Sequence, residues 1–214
     1  MNPDSHFTLR RDASSRGFTL VELVVAMAIA AVLATLAAPA LQGMIAKYRM
    51  SGIGSQFTGH ILRTRNEAVS RNTCAIMCLS TTTQATITTD TTGNVTAGPR
   101  CANAGTDWQV GWIAFLKEDC VNGTTLANSR PVRPEDYIVI RSSSGNSYNL
   151  QAQGTSPPRR FFFDANGRPG LNGAAEFDLQ YESPNSEFTQ NYGFNICVDS
   201  VGRSRTISWS ASCT

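Results

Sequence analysis

The sequence predicts an α+β protein in which one long N-terminal helix packs on a mainly antiparallel β head. Two patterns favour this class. An apolar run is followed by apolar residues at helical spacing to about Ser70, and from Asn72 onward short β-rich runs alternate with turn clusters. Because the composition changes once and no repeat period emerges, we expect a single helix followed by a single head.

The N-terminal segment "MNPDSHFTLRRDASSRG" (1–17) is predicted to be a targeting leader outside the fold. It is polar, contains three arginines and shows no periodicity. Without it, 15 basic and 14 acidic residues remain, a net charge of +1. This balance excludes a globally basic nucleic-acid-binding protein, so any anion site must come from a local patch.

The apolar run has the length of a membrane-spanning helix. From Leu23 to Leu41 only Thr35 and Pro39 are not Ala, Val, Ile, Leu or Met. As a helix, this stretch spans about 28 Å, roughly one hydrocarbon core. Glu22 stands directly before it, where a lone carboxylate needs a compensating positive charge.

Two cleavage sites are compatible with this segment. An ordinary signal peptidase would cut after the small-x-small motif at 38–40 and release a secreted protein. Cleavage between Gly17 and Phe18 would instead leave the helix on the mature protein. The length of the apolar run and the carboxylate of Glu22 at its beginning favour the second site.

The octapeptide "RGFTLVEL" (16–23) resembles the type III signal of type IV prepilins and type II secretion pseudopilins. In that signal a basic leader ends in Gly, Phe follows, and Glu comes four positions later. The resemblance implies cleavage by a prepilin peptidase after Gly17 and methylation of the new amine of Phe18. It also implies that Glu22 pairs with the terminal amine of an adjacent subunit, and that 18–45 is a transmembrane and filament-core helix.

The helix is expected to continue past the membrane segment as an amphipathic rod to about residue 70. "SGIGS" (51–55) is an alternative helix end. The predicted apolar stripe consists of Ile45, Tyr48, Ile53, Phe57, Ile61 and Leu62. Strands are predicted near 73–80, 84–89, 109–117, 136–142, 147–153, 159–164, 174–180, 192–198 and 203–209.

Four segments of the predicted head, 46–214, resemble the GspH/FimT family of minor pilins and pseudopilins, in the same order. The segments are 62–80, 111–119, 161–170 and 195–207. The resemblance implies a type IV pilin-like fold. The sequence departs from the family at 90–108 and 120–134, where extra loop residues have no family interpretation.

The family resemblance implies a minor type IV pilin, and the alternative is a minor pseudopilin of a type II protein secretion system. The implied partners are other pilins or pseudopilins in a filament, the prepilin peptidase and inner-membrane lipid. The chain would be a single-pass protein of the bacterial inner membrane with its head in the periplasm. The matching segments are shared by both machines, so the choice between them stays open.

The stretch "GRSR" (202–205) is a candidate DNA-binding motif. In a strand, Arg203 and Arg205 would point to one face about 6.5–7 Å apart, and the planar arginine fork suits phosphate. The stretch resembles the Gly-Arg-x-Arg motif of FimT-type pilins, which implies weak, sequence-independent DNA capture for natural transformation. The alternative is an exposed arginine pair neutralised by Asp199. Three further arginines could join the patch: Arg159, Arg160 and Arg168.

All six cysteines follow the apolar run, so in an oxidising compartment they can form up to three disulfides. We expect the pairs Cys101–Cys120 and Cys197–Cys213. Cys74 and Cys78 have a zinc-like spacing, but in a strand their thiols would lie about 13 Å apart. The sequence therefore predicts no metal site.

No arrangement of residues indicates an enzyme. The two histidines are His6, in the leader, and His60, alone on the predicted helix. A catalytic triad would have to be built on His60, and the glycine patterns of phosphate and dinucleotide loops are absent from the sequence. Within the run Phe161–Phe163 core packing is favoured over base stacking, whereas for Trp209 both are open. We expect no catalytic activity and no cofactor.

Overall fold

The structure is a computed structural model that describes residues 17–118, 129–142, 148–153, 160–170, 175–181, 191–209 and 211–213. It confirms the predicted α+β class. The chain divides into two compact units, Met1–Gln42 and Gly43–Thr214. The elements are α1 (Leu20–Ser70), β1 (Cys74–Leu79), β2 (Thr88–Thr89), β3 (Val95–Ala97), β4 (Gly111–Lys117), β5 (Tyr137–Ser142), β6 (Tyr148–Ala152), β7 (Arg160–Phe163), β8 (Ala175–Tyr181), β9 (Phe194–Val198) and β10 (Ser204–Ser208).

Helix α1 begins where the sequence supplies an N-terminal cap. The hydroxyl of Thr19 accepts a hydrogen bond from the backbone N–H of Glu22 at 3.2 Å. Threonine followed three residues later by glutamate is the pattern that satisfies the free N–H groups of a first turn. From Leu20 to Gln42 the described side chains are exposed, and the helix is long and apolar enough to cross a membrane.

In the second unit, α1 buries one stripe of residues at three- and four-residue spacing. The stripe comprises Gly43, Ala46, Met50, Gly54, Phe57, Ile61, Thr64 and Ala68. The predicted stripe was partly wrong, because Tyr48 is 71% exposed and Ile45 and Leu62 are about half exposed. The buried positions include Ala46 and Ala68, which were not predicted because the predicted stripe contained only large apolar residues.

The helix continues through "SGIGS" and ends at Ser70, as the main prediction stated. Gly54 has a packing role, because the ring of Phe194 occupies the space a side chain would need. At the C-terminus, the N–H of Thr73 donates to the carbonyl of Ala68 at 3.0 Å. Asn72 adopts φ = +49°, the left-handed conformation that commonly closes helices.

The strands form two four-stranded antiparallel sheets and one small hairpin. Sheet 1 has the order β5-β4-β1-β7, sheet 2 has the order β10-β9-β8-β6, and β2 pairs with β3. Each predicted strand overlaps an observed strand, but the strand predicted at 84–89 has only two residues, Thr88–Thr89. Strand β3 was missed.

The main core joins helix α1 to both sheets through the ring of Phe57. This ring lies edge-on to Trp108, Trp112 and Phe177, with centroids 5.5, 5.2 and 5.0 Å away. Trp112 belongs to sheet 1 and Phe177 to sheet 2. Aromatic pairs in this geometry each contribute about 0.5–1.5 kcal/mol beyond the area they bury.

Sheet 1 is buried on both faces, which explains why all six residues of β1 are inaccessible. Alternate residues of β1 enter the main core, whereas Ile76 and Cys78 enter a second core. This second core is closed by the segment that leads to Cys101, and the hydroxyl of Tyr137 donates to the carbonyl of Pro99 at 2.5 Å. The segment 98–101 therefore covers the outer face of sheet 1, and it lies within the predicted extra-loop region 90–108.

The structure corrects one predicted disulfide. Cys101 is bonded to Cys78, with Cα atoms 5.5 Å apart, so the predicted Cys101–Cys120 pair was wrong. The physical reason is that Cys78 projects from the outer face of β1, where the 99–102 segment packs. Cys197 is bonded to Cys213, as expected. Cys74 is also disulfide-bonded, and Cys120 lies outside the described residues.

Candidate functional site

The residues of the predicted processing site are exposed. Phe18 is 80% exposed, and no described atom lies within 4 Å of the place a side chain would take at Gly17. Leader residues 1–16 lie outside the described part of the chain. The peptide bond between Gly17 and Phe18 is therefore sterically open on its described side.

Glu22 lies in the first turn of α1 with its side chain exposed. It is the only charged residue between Gly17 and Ala46. A carboxylate at this end of a helix is favoured by the partial positive charge of the free N–H groups. Glu22 thus has a local role at the helix start, separate from the pairing predicted for it in a filament.

The predicted arginine motif forms the tight turn between β9 and β10. The N–H of Asp199 donates to the carbonyl of Arg203 at 3.0 Å, and the N–H of Gly202 donates to the carbonyl of Asp199 at 2.9 Å. Asp199 Oδ1 accepts the backbone N–H groups of Val201 and Arg203 at 3.0 and 2.8 Å. An aspartate at the first position stabilises a turn in this way with its own side chain.

Gly202 is required by this turn for two reasons. Its φ is +78°, a conformation that glycine adopts without steric cost. A Cβ atom at this position would also lie 2.8 Å from Cε1 of Phe163 and 3.5 Å from Cδ of Pro169. The glycine of the motif therefore has a structural explanation that needs no ligand.

The structure brings Arg203 and Arg205 to one open groove. Arg203 is 77% exposed at its side chain, and its Nε donates to Asp199 Oδ2 at 2.9 Å. Arg205 is exposed in β10, an edge strand of sheet 2, opposite Cys197. The other groove residues are Asp199, Ser200, Val201 and Ser204.

Asp199 offsets part of the charge of this groove. Burial by itself would raise the pKa of Asp199, but hydrogen bonds from the backbone and guanidinium of Arg203 and from the amide of Val201 lower it overall. The carboxylate is therefore ionised at neutral pH. The predicted alternative, an arginine paired with an acidic neighbour, is thus present for Arg203, in an exposed pair of small energetic value.

The same turn occurs twice more, at "DTTGN" (90–94) and "DANGR" (164–168). In each, the aspartate Oδ1 accepts N–H groups from the third and fifth residues, and the glycine N–H donates to the aspartate carbonyl. Gly93 and Gly167 have φ values of +84° and +73°. The sequence signal for this turn is Asp-x-x-Gly followed by Asn or Arg. The shared turn was not predicted from this pattern.

The structure places two of the three additional arginines. Arg168 ends the turn at 164–168 and is exposed, and Arg160 lies half-buried in β7. Arg159 lies outside the described residues. An arginine not considered before, Arg65 of α1, donates from Nε to the carbonyl of Gly167 at 2.9 Å.

Two residues of the run Phe161–Phe163 lie with two tryptophans in or against the two cores. Trp108, Trp112 and Phe163 are fully buried in the main core, and Phe162 packs on the second core. Core packing is thus confirmed for these two phenylalanines. Trp209 is half-buried, and stacking on it stays a prediction.

His60 takes part in packing. Its Nδ1 accepts a hydrogen bond from the indole Nε1 of Trp112 at 3.0 Å, which requires an unprotonated nitrogen. Burial, and then the charges of Arg63 and Arg141, lower the pKa of His60. In the part of the chain that the structure describes, no group of three or more His, Cys, Asp or Glu could hold a metal ion.

Among solved structures, the chain is similar to the type IV minor pilin FimU of Pseudomonas aeruginosa. The identity is 13%, the match covers 78% of this chain and 95% of that one, and the TM-score is 0.47. It is also similar to the minor pseudopilin EpsH from the type 2 secretion system of Vibrio cholerae. That match has 7% identity, 75% and 98% coverage and a TM-score of 0.40.

No curated protein sequence matches the chain. Two family models do. The model described as prokaryotic N-terminal methylation motif matches residues 12–38, and the model described as type II transport protein GspH matches residues 54–212. Because the second match alone spans more than half of the sequence, this chain belongs to the GspH family and carries a prokaryotic N-terminal methylation motif ahead of it.

Proposed function

We propose that this protein is a minor subunit of a type IV pilus, held in the inner membrane by α1 before it enters the filament. The observation that carries the proposal is a methylation motif at 12–38 that overlaps a helix whose described side chains are exposed from Leu20 to Gln42. Apolar surface of this length needs lipid or other apolar helices to cover it. The disulfides fit a head in an oxidising compartment such as the periplasm.

Maturation would cut the chain between Gly17 and Phe18 and methylate the new amine. In the assembled filament, the carboxylate of Glu22 would then face the Phe18 amine of a neighbouring subunit. A charge among apolar helices is tolerated when it is paired, and loss of one partner leaves the other uncompensated. This requirement for a partner would set the axial register of the subunits.

The first residue of the mature protein tests the maturation step. Mass spectrometry of protein isolated from its native membrane should find a methylated Phe18 at the N-terminus. An N-terminal Leu41 would show cleavage after 38–40 and would contradict the proposal. A Gly17→Val variant should retain the leader.

The arginine groove supports a second role, which we propose as weak capture of DNA. Arg203 and Arg205 face one open groove, and phosphate can replace Asp199 as the partner of the Arg203 guanidinium. Two phosphate contacts on duplex DNA predict a log–log salt slope of about −1.8. Several subunits along a filament would add avidity.

A salt titration of DNA binding tests this role. The full processed chain in non-ionic detergent should shift a DNA duplex at low salt, and Arg203→Gln with Arg205→Gln should abolish the shift. Pilus assembly should persist in the double variant. Unchanged DNA binding by the double variant would remove the assignment.

The alternative function is a minor pseudopilin of a type II secretion system, and the description of the matching family, type II transport protein GspH, favours it. Deletion of the gene separates the two machines. Loss of pili with normal export of folded proteins supports the pilus. Normal pili with blocked export supports the secretion system.

A further inference from the structure

We infer that Arg168, at the end of the turn 164–168, contacts the same phosphate-bearing ligand as Arg203 and Arg205. This inference rests on the proposed DNA binding and adds a third cation to it. It arises from a relationship between two turns that are 35 residues apart in sequence.

The turns 164–168 and 199–203 lie side by side. Gly202 packs on the residues that bracket the first turn, since a Cβ on it would be 2.8 Å from Phe163 and 3.5 Å from Pro169. Consecutive Cα atoms are about 3.8 Å apart. Arg168 directly precedes Pro169, and Arg203 directly follows Gly202, so both arginines are next to this contact in the chain. Their long side chains can therefore reach one ligand.

The two turns present their last residues in the same way. In both, the aspartate Oδ1 accepts the backbone N–H of the fifth residue, at 2.8 Å for Arg168 and 2.8 Å for Arg203. In both aspartates this oxygen is therefore directed at the backbone of the turn. The arginine that follows the glycine has an exposed side chain in each case.

Arg168 is the more available of the two guanidinium groups. Arg203 Nε is paired with Asp199 at 2.9 Å. Within the described residues, the side chain of Arg168 has no hydrogen bond or ion pair. Phosphate can therefore bind Arg168 without displacing a protein carboxylate.

The turn 164–168 is held in place from behind by helix α1. Arg65 Nε donates to the carbonyl of Gly167 at 2.9 Å, and this bond joins residues 102 positions apart. The Arg65 contact fixes the turn before any ligand arrives, which reduces the ordering cost of binding. Its guanidinium also adds positive charge beneath the turn.

A third phosphate contact has a measurable signature. Each contact on duplex DNA contributes about −0.9 to the log–log salt slope, so three arginines predict about −2.7. Arg168→Gln should return the slope to about −1.8 and weaken binding roughly five- to tenfold at 0.1 M salt. Arg168→Lys, which keeps the charge, should keep most of the slope.

The third turn, 90–94, provides a matched control. Asn94 occupies the position equivalent to Arg168, on the same backbone geometry, but in the β2–β3 hairpin. Asn94→Arg therefore adds one arginine on an identical turn outside the proposed surface. The double variant Arg168→Gln with Asn94→Arg has the net charge of the natural chain.

The test measures fluorescence anisotropy of a labelled DNA duplex with the full processed chain in non-ionic detergent, over several salt concentrations. We expect the double variant to bind as weakly as Arg168→Gln, with unchanged thermal unfolding.

Rescue by Asn94→Arg would show that net charge alone matters and would overturn the inference. Wild-type binding by Arg168→Gln, while Arg203→Gln with Arg205→Gln fails to bind, would overturn it and leave the DNA role intact. Absence of binding by the natural chain would overturn both.

Discussion

Trp112 of β4 donates its indole N–H to Nδ1 of His60 on helix α1, at 3.0 Å. Arg141 of β5 lies over the same indole ring, with its guanidinium carbon 4.7 Å from the ring centroid. The hydrogen bond connects the helix to sheet 1 and requires a neutral imidazole. Burial, Arg63 and Arg141 all oppose protonation of His60 and lower its pKa.

We predict that stability falls as the pH drops below about 6.5, the ordinary pKa of histidine. Because the pKa of His60 is lower in the folded chain, the unfolded chain binds the proton first. The stabilisation from neutral His60 is fully present above the pKa that His60 has in the unfolded chain. It is lost as the pH falls through the lower pKa that His60 has in the folded chain. Loss of the bond to Trp112 should cost about 1 kcal/mol.

Urea unfolding followed by tryptophan fluorescence at pH 7.5 and 5.5 checks this prediction. His60→Gln keeps an acceptor for the indole N–H but does not titrate, so it should remove most of the pH difference. The same pH dependence in the variant would contradict a role for His60.

Asp178→Asn should stabilise the protein at neutral pH. Burial and the neighbouring Glu176 raise the pKa of Asp178, whereas a hydrogen bond from Gln153 lowers it. Because the pKa of Asp178 is raised by folding, its contribution to stability is fully present below its pKa in the unfolded chain. This contribution is lost as the pH rises through its pKa in the folded chain. Removing the half-exposed charge should therefore add on the order of 0.5 kcal/mol at pH 7.

The neighbouring carboxylate provides the control for Asp178. Glu176 Oε1 accepts a hydrogen bond from Nδ2 of Asn195 at 3.0 Å. Glu176→Gln removes one charge from the same strand but weakens this bond, so no stabilisation is expected. Thermal unfolding at pH 7 and pH 3 compares the variants, and a gain for Asp178→Asn that persists at pH 3 would refute the charge explanation.

Gly202→Ala should destabilise the protein more than Gly93→Ala. Both glycines have positive φ, for which alanine costs about 1–2 kcal/mol. At Gly93 a Cβ has no atom within 4 Å, whereas at Gly202 it lies 2.8 Å from the fully buried ring of Phe163. Chemical denaturation should therefore show about 1 kcal/mol of additional loss at Gly202; equal losses would show that the ring moves aside freely.

Glu22→Ala should leave membrane insertion intact and reduce incorporation into filaments at least about tenfold. In the proposed filament it would leave the Phe18 amine of a neighbour without its partner, and loss of one member of a buried ion pair costs roughly 3–5 kcal/mol. Thr19→Ala is the matched control, since it removes the hydroxyl cap of the same turn and keeps the carboxylate. Immunoblots of sheared filaments against membrane fractions measure both. Equal loss in the two variants would mean that helix capping, and not the charge, limits assembly.

The long helix and most strand positions were predictable because their signals are local. Thr19 and Glu22 signal the helix start, and Asn72 allows the left-handed residue after its end. Strand β3 was missed because it has three residues and exists through pairing with β2, so its own composition carries little signal.

The pairing of Cys101 was not predictable from spacing. All six residues of β1 are buried, so no polar alternation marks the face from which Cys78 projects. Cys120 was the predicted partner of Cys101 because it is nearer in sequence and closes a shorter loop. The observed Cys78–Cys101 bond depends instead on how the segment 80–101 folds over sheet 1. The placement of the arginines is a similar case, because the contact of Gly202 with Phe163 and Pro169 joins distant parts of the chain.

The repeated turn has a consequence for how the surface can diversify. The hydrogen bonds that all three turns share use the aspartate side chain and main-chain atoms, so the side chain of the fifth residue is not part of the common pattern. Asn94 and Arg203 each add a side-chain bond of their own, to Thr92 Oγ1 and Asp199 Oδ2. Asn94, Arg168 and Arg203 occupy that position on three hairpin tips. One substitution per tip is therefore enough to redistribute surface charge while both cores stay as they are.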